Sequence, residues 1–301
     1  MKYVILADGD NLQPFIRPRQ LTIINGEPLV KRTIRLLKEN NVKDILITSH
    51  DKRFDNLGAT RYEPLYNDYK PKENKGYWIS AFPIELLNEP ICFLMGDVYY
   101  SENAIKKIVK TNTKTTMFFC TYNNNDNKYI KHHDEPLGYK VVDYDLFKKH
   151  IQIIKNFKDS GKAFREPIVW ELYRSINNQE ITKHIMTTNY TAINDESCDI
   201  DTINDIMKLQ NVLGGKFMVK LETIYDFTLE RFNELKNIKR KNIEKDKDGW
   251  LYIGDTFECN NELAGYLMGD NKNKIIVAKV IEVKDEPKQE TKIKRTKKSK
   301  K

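Results

Sequence analysis

The sequence lacks any apolar run approaching the roughly 20 residues that a membrane-spanning helix needs, although 40% of its residues are apolar. The N-terminal stretch holds only Lys2 before a strand-like run that stops at Asp8, so a secretory signal is not expected. Cysteine is sparse. The four thiols, Cys92, Cys120, Cys198 and Cys259, are widely scattered and show no C-x-x-C pairing, which argues against a disulfide framework. They suit reduced thiols in a cytoplasmic protein. No internal repeat is present, and no Ser-His-Asp or Cys-His arrangement can be read from spacing. His132-His133, followed by Asp134, point in different directions on any regular element, so they read as solvent-facing rather than as metal ligands.

The net charge of +8 is not spread over the chain. Eight lysines or arginines fall within 288–301 against the single acid Glu290, so the rest of the chain is close to neutral. A basic globular face for nucleic acid is therefore not indicated. Segment 286–301 reads as a basic tail too poor in apolar residues to fold alone, solvated and open to contact with a polyanion.

Strand-like and helical runs alternate through the first two-thirds of the chain. Strands are predicted at Val4–Ala7, Asp44–Ser49, Ile91–Met95, Thr115–Tyr122, Tyr139–Val142 and Tyr190–Ile193. Helices are predicted at Pro28–Asn40, Gly76–Leu87, Glu102–Lys110, Tyr144–Phe157, Pro167–Ile176 and Thr202–Leu213. Such alternation argues an α/β fold, a mostly parallel Rossmann-like sheet with helices on both faces, over residues 1–213. Gly214-Gly215 closes the last helix and marks a boundary. Residues 218–285 change in texture: a helix over Asp226–Ile238, strands at Trp250–Ile253 and Thr256–Cys259, a helix over Asn261–Leu267 and a strand over Ile275–Val283 predict a small α+β module.

The N-terminal stretch carries the chemistry. The apolar run Tyr3-Val4-Ile5-Leu6-Ala7 breaks at Asp8-Gly9, Pro18-Arg19-Gln20-Leu21 follows, and the turn Asn25-Gly26 precedes the helix opening at Pro28-Leu29. A strand that ends in glycine and leads through a loop to a helix presents backbone N–H groups to a phosphate. Asp97, directly after the apolar strand Ile91–Met95, sits where open α/β sheets bind ligands. Two roles are open to it, a ligand to a hard cation or a cap on the loop into the next helix. In extended spacing Asp199 and Asp201 share a face and both could reach a metal, while Asp201 or Thr202 could equally start a helix.

In this order the segments resemble the opening of sugar-phosphate and choline-phosphate nucleotidyltransferases, whose pattern runs L-A-A-G-x-G-x-R, P-K-x-L, N-G-x-P-L. Gly96-Asp97-Val98 resembles their G-D-x motif, and Asp199-Ile200-Asp201-Thr202 with Asp205-Ile206 resembles their E-I-D-T-x-x-D-L motif. The resemblance spans roughly residues 1–213 and implies a glycosyltransferase-A-like domain. Its activity would be nucleotidyl transfer from an NTP to a phosphorylated sugar or alcohol, with Mg²⁺ as cofactor. It implies metal ligation by Asp97 and Asp201, catalytic roles for Arg19 and Asp97, and nucleotide contacts from Leu6, Ala7, Gly9, Arg19, Ser80 and Gly96. Glu135-Pro136-Leu137-Gly138-Tyr139 falls where the family meets its acceptor.

The chain departs from the pattern at Asn11 and Gln13, where the family has glycine and arginine, and at Arg19, where it has lysine. Asp8 and Asp10 bring negative charge to a phosphate loop, and Arg17 lies close enough to replace the lost cation. Altered substrate, reduced activity and lost activity all follow as options. Two other classes stay open: a nucleotide-sugar-dependent glycosyltransferase, and a non-catalytic structural or binding protein. Segment 218–285 loosely resembles small phage-associated proteins, which would make it a tether to a virion or complex.

Overall fold

The structure is a computed structural model. It describes residues 1–8, 18–64, 82–121, 135–163, 168–183, 185–201, 203–213, 217–223, 227–228, 236–239, 250–251, 255–260 and 278–285. In chain order, β1 (Lys2–Leu6) is followed by a 3-10 turn at Arg19–Leu21 and a hairpin of β2 (Ile23–Ile24) and β3 (Glu27–Pro28). Then come α1 (Leu29–Glu39), β4 (Ile45–Thr48), β5 (Thr60–Tyr62), β6 (Ile91–Met95), β7 (Val98–Tyr99) and α2 (Glu102–Lys110). β8 (Met117–Thr121), β9 (Glu135–Val141), α3 (Tyr144–Asp159), α4 (Val169–Ile176), β10 (Tyr190–Ala192), β11 (Cys198–Asp199) and α5 (Ile203–Leu213) complete the first part.

Seven of these strands form one sheet in the order β10-β8-β9-β6-β1-β4-β5. β1 runs parallel to both β4 and β6, and the β4–β5 and β8–β10 pairs are also parallel. β9 is the antiparallel member, paired with β6 and β8. Alternation along β1 divides the core into two layers. Tyr3 and Ile5 pack with Val30, Ile34 and Leu37 of α1 and Ile105 and Ile108 of α2. Val4 and Leu6 face the other way, against Phe147, Ile151 and Ile154 of α3 and Trp170, Leu172 and Tyr173 of α4. Helices thus cover both faces, and the central strands β1 and β6 are buried on both sides.

Local chemistry sets the connections. Asn25 and Gly26 have φ of 53° and 75°, the paired positive values that a tight type I′ hairpin turn requires. α1 buries Leu29, Val30, Thr33, Ile34, Leu36 and Leu37 on one stripe, and each of its large apolar side chains contributes roughly 1.5–3 kcal/mol. α2 begins at Ser101, whose Oγ accepts from the Ala104 N–H at 2.9 Å. It ends over Lys140 of β9, 1% exposed, whose ammonium donates to the carbonyls of Val109 and Thr111 at 3.3 and 2.7 Å. Burial lowers the pKa of that lysine, and the helix's terminal carbonyls keep its charge solvated by protein.

Beyond α5 lie β12 (Phe217–Thr223), β13 (Phe227–Thr228), β14 (Lys236–Lys239), β15 (Trp250–Leu251), β16 (Thr256–Asn260) and β17 (Ala278–Asp285). They form an antiparallel sheet of order β14-β16-β12-β17 and a separate β13–β15 pair, and β17 passes beside β2. All four cysteines are buried.

Two predicted helices are corrected. Of Gly76–Leu87, residues 76–81 lie outside the described residues, and the remainder is a short 3-10 turn at Ile84–Leu86. Pro83 precedes that turn, and a proline there removes the donor that an α-helix running through it would need. Within Asp226–Ile238, Phe227–Thr228 pairs with Trp250–Leu251, and Lys236–Lys239 joins β16. Backbone pairing with strands further along the chain overrode the helical spacing of apolar residues. The helix predicted over Asn261–Leu267 and the tail from residue 286 lie outside the described residues.

Candidate active site

β6 is apolar throughout and delivers Gly96-Asp97 to the carboxyl edge of the sheet. The Gly96 N–H donates to the Leu6 carbonyl at 2.9 Å, so the turn is stitched to the end of β1. A β-carbon at residue 96 would lie 2.6 Å from that same carbonyl oxygen and 2.9 Å from Gln20 Cγ. Only glycine permits this approach. Gly96→Ala is therefore expected to cost about 1–3 kcal/mol and to lower the melting temperature by roughly 3–10 °C. Thermal unfolding followed by circular dichroism checks this, and an unchanged transition would contradict the close approach.

The second half of the site arrives from far along the chain. β11 pairs antiparallel with β7, Cys198 opposite Tyr99 and Asp199 opposite Val98. The Ile200 N–H then donates to the Asp97 carbonyl at 3.0 Å. A small polar lock holds this short ladder in register. The Ser101 N–H donates to Ser197 Oγ at 2.8 Å, and Ser101 Oγ donates to Asp195 Oδ2 at 2.7 Å. The Ser197 N–H donates to Asp195 Oδ1, also at 2.8 Å. The helix-capping Ser101 thus also fixes the loop that carries the acidic residues. The sequence signal for this lock is faint: one serine before a helix and an Asp-x-Ser turn.

Asp97, Asp199 and Asp201 each contribute a carboxylate oxygen to a group in which all three lie within 4.8 Å of one another. Asp97 and Asp199 are half-buried and Asp201 is exposed. Arg19, on the 3-10 turn after Pro18, pairs with Asp97 at 3.1 Å and with Asp201. Its side chain is only 13% exposed. Burial, then the charges of Asp97 and Glu135, push the Asp199 carboxyl well above the ordinary carboxylate range, with Arg19 acting in the opposite direction.

The remaining predicted residues divide. Leu6 and Ala7 lie at the end of β1, but the Leu6 carbonyl is committed to Gly96 and the Ala7 N–H donates to the Thr48 carbonyl at 3.0 Å. Gly9 and Ser80 lie outside the described residues, as do Asp10, Asn11, Gln13, Arg17, His132 and His133. Asp8 is described, and it meets a partner that sequence reading missed: its carboxylate accepts the His50 N–H at 3.2 Å and lies 2.5 Å from His50 Nδ1. His50 follows β4, so this pair stands at the same sheet edge, just before the predicted phosphate loop. At the start of β9, Glu135 Oε1 accepts from the Trp170 indole at 3.3 Å.

No protein-family model matches the chain. A protein of Thermococcus kodakarensis described as a bifunctional IPC transferase and DIPP synthase is 28% identical over 123 residues. The match covers 36% of this chain and 26% of that protein, so the chain spans about a quarter of the relative's length. Among solved structures, one described as a glucose-1-phosphate thymidylyltransferase from Bacillus anthracis, in complex with a sucrose, superposes with a TM-score of 0.48 at 14% identity, covering 70% of this chain and 94% of that one. The CTP:phosphocholine cytidylyltransferase of Streptococcus pneumoniae superposes with a TM-score of 0.45 at 21% identity, covering 70% of this chain and 98% of that one. No helix among the described residues is long and apolar enough to cross a membrane.

Proposed function

We propose that the chain transfers a nucleotidyl group from an NTP to a phosphorylated sugar or alcohol and releases pyrophosphate. The observation that carries this reading is the convergence of Arg19, Asp97 and Asp201, remote in sequence, at the carboxyl edge of a mostly parallel sheet. The transferase description of the Thermococcus kodakarensis relative points the same way over its short match.

The donor set fits Mg²⁺. A hard cation of that kind takes oxygen ligands, commonly one or two carboxylates with phosphate oxygens and water. Among the described residues, this is the one group of three His, Cys, Asp or Glu side chains spaced to share an ion. Asp97 and Asp201 would hold it, with Asp199 alongside. Mg²⁺ held by these residues would supply positive charge to offset the charge developing on the leaving pyrophosphate. Arg19 would bind a phosphate oxygen through its planar fork, and Gly96 lets the β6 turn close against β1 so that Asp97 faces the ligand. The acceptor's phosphate oxygen attacks the α-phosphorus while the bond to the bridging oxygen breaks. The attacking phosphate oxygen is already ionised near neutral pH, so no side chain need remove a proton from it. Gly9 and Ser80 are assigned to the phosphates and the base on the family pattern alone.

Pyrophosphate release, measured with each common NTP and a panel of sugar and alcohol phosphates, tests this reading. The expected result is release that requires both an acceptor and Mg²⁺. Consumption of a nucleotide-sugar without pyrophosphate would instead assign a glycosyltransferase.

A further inference from the structure

We propose that Arg19 is an internal counter-ion that occupies the acidic cluster when no ligand is bound. It yields the cluster only when phosphates arrive to take up its guanidinium. Divalent cation and nucleotide then bind as a coupled pair rather than independently. This rests on the reading of Asp97, Asp199 and Asp201 as a metal site.

The placement of Arg19 argues for it. Its guanidinium bridges Asp97 and Asp201, two members of the one cluster among the described residues able to share an ion. A cation entering between those carboxylates meets a positive charge already there, and like charges at contact distance repel strongly in a partly buried setting. Metal entry therefore requires Arg19 to move or to be neutralised. The arginine is also incompletely satisfied where it sits, because its Nε is buried and without a hydrogen-bond partner. A buried donor left unmade is costly, and a phosphate oxygen is the acceptor that a guanidinium fork fits best. The adjoining Gln20 is a second side chain with a buried polar atom left without a partner next to the Asp97 turn. It is 4% exposed, packs over Gly96, and its Oε1 is buried without a partner. Arg19 and Gln20 thus each hold a buried polar atom without a partner on the same short 3-10 turn.

Phosphates resolve both conflicts at once. They supply acceptors to Arg19, and they bring oxygens that share the cation with the carboxylates. Each ligand thus raises the affinity of the other by the same factor, as linkage demands.

The test is Mn²⁺ uptake by the full chain, read from the spectroscopic signal of free Mn²⁺, for wild type, Arg19→Gln and Arg19→Lys. Each is titrated with Mn²⁺ alone and with preformed Mn²⁺–tripolyphosphate. Wild type should take up the complex at least tenfold more tightly than the bare ion. Arg19→Gln should bind bare Mn²⁺ about tenfold more tightly than wild type, bind the complex more weakly, and lose most of the coupling. Arg19→Lys keeps the charge and should stay near wild type for the bare ion. It also serves as the comparison if the glutamine variant folds poorly, which its melting curve reveals. Unchanged or weaker binding of bare Mn²⁺ by Arg19→Gln would overturn the proposal while leaving the metal site standing. No uptake by any form, with or without tripolyphosphate, would remove the metal reading itself.

Discussion

Asp97→Asn is expected to abolish Mg²⁺-dependent nucleotide binding while leaving the fold intact. The two outcomes separate because Asp97 acts through different atoms in each. Its carbonyl, which accepts from the Ile200 N–H and ties β11 to the β6 turn, survives the substitution. Its carboxylate is what faces Asp199, Asp201 and Arg19, and an amide offers one neutral oxygen in its place. Losing an outer partner of a metal ligand typically costs about 10–100-fold in affinity, so replacing a ligand itself should exceed that. Stability should change little, since the charge removed both attracted Arg19 and repelled Asp199. Calorimetric titration with Mg²⁺ and NTP reads the first effect and a melting curve the second. Equal nucleotide affinity in the two forms would show that Asp97 had been given the wrong role.

The sheet was legible because its strands are short apolar runs separated by amphipathic helices. Ile91–Met95 and Glu102–Lys110 fall where the pattern puts them. What the pattern could not supply was direction. β9 runs antiparallel because it returns from β8 to fill the place between β8 and β6, a fact of topology rather than of local propensity. The segment beyond α5 was misread at 226–238 for a related reason, since whether Phe227 and Lys236 extend or coil depends on strands some twenty residues further on. The site was half legible. Asp97 and the Asp199-Ile200-Asp201 run stood out as carboxylates at element ends. The ladder that joins them, locked by Ser101, Asp195 and Ser197, is a long-range pairing with no signature of its own. The Asp8–His50 contact was equally hidden, because its partners meet only when β1 and β4 lie side by side. That contact alters one expectation, for it gives the negative charge of Asp8 a partner before any phosphate approaches.

Asn11→Gly combined with Gln13→Arg is expected to raise the rate of pyrophosphate release by about a hundredfold or more over a slow wild type. In the family pattern the arginine at this place carries charge to the triphosphate, and a glutamine can donate a hydrogen bond but no net charge. Removing one donor aimed at developing charge typically costs about 10²–10³-fold in rate. Arg19 is poorly placed to make up the loss on its own. Its guanidinium is drawn to Asp97 and Asp201, so any phosphate must compete for it with two carboxylates. Magnesium-dependent nucleotide binding should persist in the wild type, because its carboxylate cluster is built from Asp97, Asp199 and Asp201. Single-turnover assays at saturating NTP and acceptor separate the chemical step from binding. Vigorous turnover by the wild type, unchanged by the double substitution, would mean that Arg17 or Arg19 already supplies the charge. Slow release in both forms, with nucleotide still bound, would place the barrier at the acceptor rather than at the leaving group.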